Sequence, residues 1–265
     1  MARARKLHKQ LSLLPKLDKN GQHRGGKRKG AGRPPKGARP SERHKIRASF
    51  TRHQSVHVVL RPIEEVGSLR RRDMYKAVRA AMITTYERAR IRIIHMSIQG
   101  THIHLIAEAN NRRELARGMQ GFEIAAAKNI NAVLSKRLGY RRRGTVFPDR
   151  YHAVIITNPR QARGVLAYVL NNWRRHGENK AKVARGWAID PFSTAPSFDG
   201  FKDLDARAVD WGENYLRLPV FTPRTWLLST GWKMHGLIRS TEVPGKPWKP
   251  TAERDGKRRM RTTAA

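Results

Sequence analysis

Apolar residues recur along the middle of the chain with two different periods. Alternation at every second position is typical of a strand with one buried face, whereas repeats at three and four residues are typical of an amphipathic helix. The clearest helical period begins with Leu115, Met119 and Phe122. The patterns predict strands at 56–60, 91–99, 102–109 and 146–157, and helices at 69–88, 112–137 and 159–175.

The order of these elements predicts the fold class. Gly100-Thr101 is so short a link between the second and third strands that the two should form a hairpin. Strand, helix, strand, strand, helix, strand is a split βαβ repeat. We therefore expect an α+β fold, a ferredoxin-like antiparallel sheet with helices on one face. An additional C-terminal helix, begun by Asn158-Pro159, would carry Tyr168.

Changes in composition along the chain predict where its domains and tails begin and end. Residues 1–48 contain sixteen Lys or Arg against two acidic residues, with frequent Gly and Pro, which predicts a disordered basic tail. Within it, the segment around Arg33 (Gly-Arg-Pro-Pro-Lys) resembles a loose AT-hook for a narrow minor groove, although unspecific phosphate binding explains it as well. We expect a globular domain at 53–177, an aromatic-rich extension at 178–243 folded back on it, and a basic flexible tail at 244–265.

The overall charge narrows the class of partner. Lys and Arg number 56 against 20 acidic residues, a net charge of +36, which favours nucleic acid or another anionic surface. No apolar run approaches the roughly 18 residues of a membrane span, and no secretory signal is evident. The chain has no cysteine, which excludes disulfides and thiolate zinc sites. A cytoplasmic, nucleoid-associated protein without membrane contact is the expectation.

Two histidines in the third predicted strand are candidate metal ligands. His102 and His104 are two residues apart, so their side chains should lie on the same face. Two imidazoles on one face can bind one divalent cation, which can polarise a phosphoryl oxygen. Solvated histidines, or histidines satisfied by neighbours, would give the same pattern, and His57 and His95 also lie in strand-like segments.

The last predicted helix adds a candidate nucleophile. Tyr168 and Asn172 are four residues apart and project from one helix face. A phenol is a poor nucleophile alone, but its attack on a metal-held phosphodiester would leave a covalent aryl phosphate. The Asn172 amide oxygen suits a hard cation such as Mg²⁺ or Mn²⁺ as a third ligand. Alternatively, Tyr168 is an edge aromatic beside Val165 and Val169.

Three separate segments of the chain include the candidate metal ligands and the candidate nucleophile. They lie at 96–106, 147–152 and 168–172 and include His-Ile-His and Tyr-x-x-x-Asn. Together they resemble the single-tyrosine transposases of the HUH superfamily, in particular the REP-associated tyrosine transposases with their IS200-like domain. Two departures are Gly100-Thr101, where many relatives have Pro-Asn, and Trp173, where relatives commonly have Pro. Neither departure removes a reacting group.

The resemblance implies a metal-dependent tyrosine transposase. His102, His104 and Asn172 would bind Mg²⁺ or Mn²⁺, and Tyr168 would form a 5′-phosphotyrosine while releasing a 3′-hydroxyl. A second strand's 3′-hydroxyl would reverse the step and rejoin DNA without ATP. Such enzymes use single-stranded DNA with hairpins and usually work as homodimers.

Arginines near these elements are candidate DNA ligands. As a set they favour binding to the phosphate backbone, since each phosphate contact releases counterions. The candidates are Arg33, Arg112, Arg113, Arg142, Arg143, Arg163 and Arg174.

Two other functions fit parts of the same sequence. A non-catalytic, domesticated DNA-binding protein on the same scaffold would keep the charge and the fold. A basic RNA-binding or ribosome-associated protein would explain the charge but leave the histidine pair and Tyr168 as coincidence.

Overall fold

The computed structural model describes residues 46–88 and 91–245. Nearly all of the predicted basic tail at 1–48, including Arg33, and nearly all of the tail at 244–265 lie outside the described residues. Arg47 lies inside them. Its guanidinium donates to the Tyr151 carbonyl at 2.8 Å and stacks 3.7 Å above the Tyr151 ring. Arg47 is therefore part of the folded domain rather than of the predicted tail.

Four antiparallel strands form the sheet in the order β2-β3-β1-β4. This is the ferredoxin-like arrangement that the sequence predicts. The strands are β1 (Ser55–Leu60), β2 (Arg92–Ile98), β3 (Ile103–Glu108) and β4 (His152–Ile156), and the helices are α1 (Arg72–Arg88), α2 (Arg112–Leu138), α3 (Pro159–Arg175) and the short α4 (Trp226–Ser229).

Two predicted boundaries, the starts of α1 and β4, are wrong by more than one residue, and several others differ by one residue. Helix α1 begins at Arg72 rather than residue 69, and β3 begins at Ile103 rather than His102. Strand β4 begins at His152 instead of residue 146, because Pro148 has no N–H to donate to a neighbouring strand. Val146 and Tyr151 are still buried in the core, so their apolar pattern reports burial without strand pairing.

The two faces of the sheet are covered differently. Val56, Val58 and Leu60 of β1 point into a core formed with α1 and α2. The alternate residues of β1, among them His57, point to the opposite face, which α3 and the extension cover. The helices predicted for one face are thus α1 and α2, and the additional helix α3 packs on the other.

The first turn of α3 fixes where this helix begins. Asn158 caps it by accepting a hydrogen bond from the Gln161 N–H at 2.8 Å, and Pro159 occupies the first turn. Such a cap stabilises a helix by about 1 kcal/mol, and proline there has no hydrogen bond to lose. Because the start is fixed, the rotational position of Tyr168 along the helix is fixed too.

The extension packs against α3 and is held to the sheet by buried polar contacts. Phe198, Phe201 and Trp232 join the apolar residues of α3 in a second core. Arg70 donates two hydrogen bonds to the fully buried Asp190 at 2.9 Å and a third to the Ile98 carbonyl at 3.1 Å. These contacts join the segment before α1, the end of β2 and the extension.

No helix within residues 46–88 and 91–245 has both the length and the apolar character needed to cross a bilayer.

Asp190→Ala should lower the free energy of unfolding by about 3–5 kcal/mol, because it removes the buried carboxylate that accepts two hydrogen bonds from the buried Arg70 guanidinium. Urea unfolding measures the loss. The matched control is Asp199→Ala, which removes an ion pair between Asp199 and Arg207. The side chains of this pair are 68% exposed for Asp199 and 57% exposed for Arg207. We expect less than about 1 kcal/mol there. Equal losses in the two variants would contradict the role assigned to Asp190.

Stability should also fall as the pH falls from about 6.5 towards 4. Burial lowers the pKa of His95 to about 4, and its Nδ1 lies 3.1 Å from the Thr194 hydroxyl in the extension. Between pH 6.5 and 4, His95 of the unfolded chain therefore binds a proton that His95 of the folded chain does not. The contribution of the neutral, buried His95 to the free energy of unfolding is complete above pH 6.5 and is lost on acidification.

His95→Gln should remove about 2–3 kcal/mol of this pH-dependent loss. The measurement is urea unfolding at several pH values, with His53→Gln at an exposed position as the control. A His95→Gln variant with an unchanged pH profile would contradict the prediction.

Candidate active site

His104 occupies the centre of a group of aromatic side chains between the sheet and α3. Its ring centroid lies 4.7 Å from that of His102, 5.3 Å from that of His57 and 5.1 Å from that of Tyr168. The structure therefore brings the predicted histidine pair and the predicted nucleophile together. They belong to one chain, so no second copy is needed for this proximity.

The β2–β3 hairpin positions the two histidines. Within β3, His104 is paired with Val59 of β1 and Ser97 of β2. His102 stands just before the strand, where its carbonyl accepts a hydrogen bond from the Gln99 N–H at 2.8 Å. The Gly100-Thr101 turn thus closes normally, and the Thr101 hydroxyl lies 3.2 Å from His102 Nδ1.

Asn172 lies one turn after Tyr168 in α3, and its side chain has no hydrogen-bond partner among the described residues. Its side chain is fully buried, and among the described residues neither Oδ1 nor Nδ2 has a hydrogen-bond partner. His104 Nε2 is buried and unpartnered in the same sense. A buried polar atom without a partner costs about 1–3 kcal/mol, so such atoms call for a ligand or a role. The donor set fits a bound cation.

The composition of this donor set limits what could hold a metal. Within residues 46–88 and 91–245, no group of three or more His, Asp or Glu side chains is arranged to hold a metal ion. A site with three protein ligands therefore needs the amide oxygen of Asn172 in addition to His102 and His104. The metal itself stays a prediction.

Burial keeps the imidazoles neutral, which is the form that binds metals. It lowers the pKa of His57 and of His102 to about 4, and it lowers the pKa of His104 well below the ordinary value. Neighbouring histidines and Arg61 lower the His104 pKa further. All three rings are therefore uncharged near neutral pH.

The Tyr168 phenol is half-buried, and burial raises its pKa. Arg175 and Arg61 act in the opposite direction, because a nearby positive charge favours the phenolate. The guanidinium carbon of Arg175 lies 5.9 Å from the centroid of the Tyr168 ring. The site thus contains cations that favour negative charge on the phenol oxygen.

Four residues of this site were not among the predicted site residues: His57, Arg61, Arg175 and His176. His57 Nε2 lies 3.2 Å from His104 Nδ1, and the ring of His176 lies 5.1 Å from that of His102. A signal for His176 existed, since it follows Tyr168 by two helical turns. The contact between His57 and His104 depends on the pairing of β1 with β3, which the residue pattern alone did not specify.

A cavity of about 580 Å³ lies beside the phenol. Tyr168, His57, Arg160 and Arg163 contribute to its lining. Glu242 also lines the cavity and pairs with Arg163, so Arg160 and Tyr168 are the lining residues that suit a phosphate-bearing ligand.

The predicted DNA-binding arginines have different surroundings. Arg163 pairs with Glu242, and Arg174 donates to the carbonyls of Ser240 and Ala188 at 2.8 Å. Those two hold the extension against α3. Arg142 donates to the Asn131 side chain and Arg112 to the Arg47 carbonyl, while Arg113 and Arg143 are exposed. Their contact with DNA stays a prediction, as does that of Arg33.

Comparison with known proteins gives a family match over the residues that contain His102, His104 and Tyr168. Residues 51–172 match the sequence model of the family described as "Transposase IS200 like". No curated protein matches the chain.

Two solved structures are similar to parts of the chain. One is a REP-associated tyrosine transposase bound to a REP hairpin, with 17% identity, 57% of this chain and 82% of that chain covered, and a TM-score of 0.43. The other is a putative transposase from Deinococcus radiodurans R1, with 10% identity, coverage of 52% and 95%, and a TM-score of 0.33.

The family match begins before β1 and ends at Asn172, so it contains His102, His104 and Tyr168 as well. Residues 51–172 of this chain, a little under half of its length, are thus similar to the IS200-like transposase family.

Proposed function

We propose that this protein is a DNA transposase that cleaves and rejoins single-stranded DNA through a 5′-phosphotyrosine intermediate. One observation carries the proposal. The Tyr168 ring lies 5.1 Å from the ring of His104, whose Nε2 is unsatisfied, and Tyr168 precedes the unsatisfied Asn172 by one turn of α3. A nucleophile next to a candidate metal site is the arrangement that phosphoryl transfer needs. The family match over the same residues supports the transposase assignment.

His102, His104 and Asn172 would hold Mg²⁺ or Mn²⁺. The bound cation would supply Lewis-acid polarisation of a phosphoryl oxygen and partial neutralisation of its charge. Neutral imidazoles and an amide oxygen are suitable donors for this purpose. The unpartnered atoms on His104 and Asn172 support this assignment, because each is already free of competing hydrogen bonds.

Tyr168 carries the covalent step. Its phenolic oxygen forms a bond to the 5′ phosphorus while the bond from phosphorus to the 3′ oxygen breaks. The phenol gives up its proton, and the departing 3′ oxygen is protonated to a hydroxyl. Arg61 and Arg175 favour the negative charge that develops on the phenol oxygen. A 3′-hydroxyl of another strand reverses the step, since the ester conserves the bond energy.

His57 positions His104 in this scheme. If His104 Nε2 binds the cation, then Nδ1 carries the hydrogen and donates it to His57 Nε2, 3.2 Å away. This hydrogen bond fixes the tautomer and the orientation of the ring. Burial keeps the pKa of His57 at about 4, so His57 stays neutral and able to accept the bond.

DNA with single-stranded segments and hairpins is the proposed substrate. The net charge of +36 supports binding to a polyanion, and the family supports DNA. We further propose a homodimer located with the nucleoid in the cytoplasm. Because Tyr168 and His104 of one chain are already adjacent, each protomer of such a dimer would hold a complete site.

Tyr168→Phe should abolish the covalent protein–DNA adduct that the unaltered protein forms with hairpin-containing single-stranded DNA and Mg²⁺ or Mn²⁺, because the variant lacks the attacking oxygen. The adduct is detected on a denaturing gel. The control is Tyr140→Phe, at a residue that is 64% exposed, and it should form the adduct normally. An adduct with the Tyr168→Phe variant, or none with the unaltered protein, would refute the proposed chemistry.

His57→Ala should weaken Mn²⁺ binding about 10- to 100-fold, because His104 loses the acceptor that orients it. Isothermal titration calorimetry in the Tyr168→Phe background measures the affinity without DNA cleavage. Asn172→Ala should weaken binding at least as much. The control is His235→Ala at an exposed position, with unchanged affinity expected. Full Mn²⁺ affinity in both site variants would place the ion elsewhere.

A further inference from the structure

A second cavity, of about 680 Å³, lies between the start of α1 and the extension. Aromatic side chains dominate its lining: Tyr75, Trp187, Phe192, Trp211 and Tyr215. All of them except Tyr75 lie outside the family-matched residues 51–172. We propose that this cavity, the aromatic cavity, binds an unpaired nucleobase of the DNA substrate. The inference rests on the proposed function, which supplies single-stranded DNA.

The aromatic cavity is held open by specific hydrogen bonds. The Tyr75 hydroxyl donates to the Leu216 carbonyl at 2.6 Å, and the Tyr215 hydroxyl donates to the Pro191 carbonyl at 2.8 Å. Both phenols therefore serve as ties between segments and leave their rings as walls. Its volume lies within the range of about 300–1,000 Å³ that is typical of small-ligand pockets, which is sufficient for one nucleotide.

The aromatic rings of the cavity wall suit the faces of a base. Trp187, Phe192, Trp211 and Tyr215 all contribute to the lining. Stacking on aromatic side chains is how unpaired bases are bound, and it tolerates any base because every base has a π-face.

Charge around the aromatic cavity suits the phosphates on either side of a bound base. Arg72 and Lys76 contribute to the lining, and the exposed Lys180, Lys182 and Arg185 follow along the adjacent wall segment. Glu178 also contributes, but it lies 3.6 Å from the Arg70 guanidinium, which partly offsets its charge. This distribution favours a strand of nucleic acid over an uncharged apolar ligand.

The position of the cavity links it to the active site. Its wall residue Glu178 follows His176 by two residues, and the ring of His176 lies 5.1 Å from that of His102. Trp187 lies 6.4 Å from Trp173, the neighbour of Asn172. A strand whose phosphate lies at Tyr168 can thus reach the aromatic cavity along the C-terminal end of α3.

Photo-cross-linking of the full chain tests the inference. Hairpin oligonucleotides carry 5-iododeoxyuridine at one position at a time along the single-stranded flank, and the Tyr168→Phe variant prevents cleavage. We expect adducts on Trp187, Trp211 or Tyr215 at one or two flank positions. Adducts exclusively outside the aromatic cavity at every position would overturn the inference.

Affinity measurements by fluorescence anisotropy give a second readout. Trp187→Ala should weaken binding of the single-stranded flank about 5- to 100-fold, the loss of one stacked base. Trp187→Phe should keep most of the affinity. The control is Trp226→Ala, at a residue 55% exposed on α4, with no change expected. An equal loss for fully duplex DNA, or none for the flank, would count against base binding.

Other outcomes remain distinguishable. If Trp187→Ala fails to fold, the cross-link in the unaltered cavity decides the matter alone. A Tyr168-dependent adduct without cross-links in the aromatic cavity supports the proposed function and refutes this inference. Cross-links in the aromatic cavity without a Tyr168-dependent adduct support this inference and refute the proposed chemistry. Lysine cross-links from residues 1–45 to Lys76 that DNA does not displace would identify the chain itself as the occupant and overturn the proposal.

Discussion

The pairing of β1 with β3 determines what surrounds His104. Their register places Val59 opposite His104 and His57 opposite Ile106, and both histidines point to the face that α3 covers. A shift by one residue would move every side chain of a strand to the other face, into the apolar core under α1 and α2. That core consists of residues such as Val58 and Leu105, so such a slip is strongly disfavoured. Apolar burial on one face thus fixes the polar site on the other.

Burial has two consequences for this polar face. It removes charge from the imidazoles of His57, His102 and His104, so the site is already in the state that a cation requires. It also leaves Asn172 and His104 with unsatisfied atoms, at a cost that the rest of the fold must offset. The extension contributes to that offset, because it covers α3 and is joined to the sheet through Arg70 and Asp190.

Local periodicity predicts those parts of the structure that depend on neighbours in sequence. The two-residue spacing of His102 and His104 and the four-residue spacing of Tyr168 and Asn172 each place a pair on one face, and the element order gives the topology. Long-range contacts were not predictable in this way. The approach of His57 to His104 depends on strand register, and the fixing of Arg163 by Glu242 depends on how the extension folds back. The predicted start of β4 is wrong for a related reason. Val146 is buried by long-range packing rather than by strand pairing, and its apolar position matches the alternation expected of a strand.

Anomalous diffraction from crystals of the unaltered protein soaked in Mn²⁺ would examine the proposed convergence of ligands directly. We expect one strong manganese peak bonded to nitrogens of His102 and His104 and to Oδ1 of Asn172, with the Tyr168 hydroxyl adjacent to it. Grouped side chains with no ion between them, or manganese bound only at other residues, would contradict a metal-dependent site and leave the buried polar atoms of α3 and β3 with a different role.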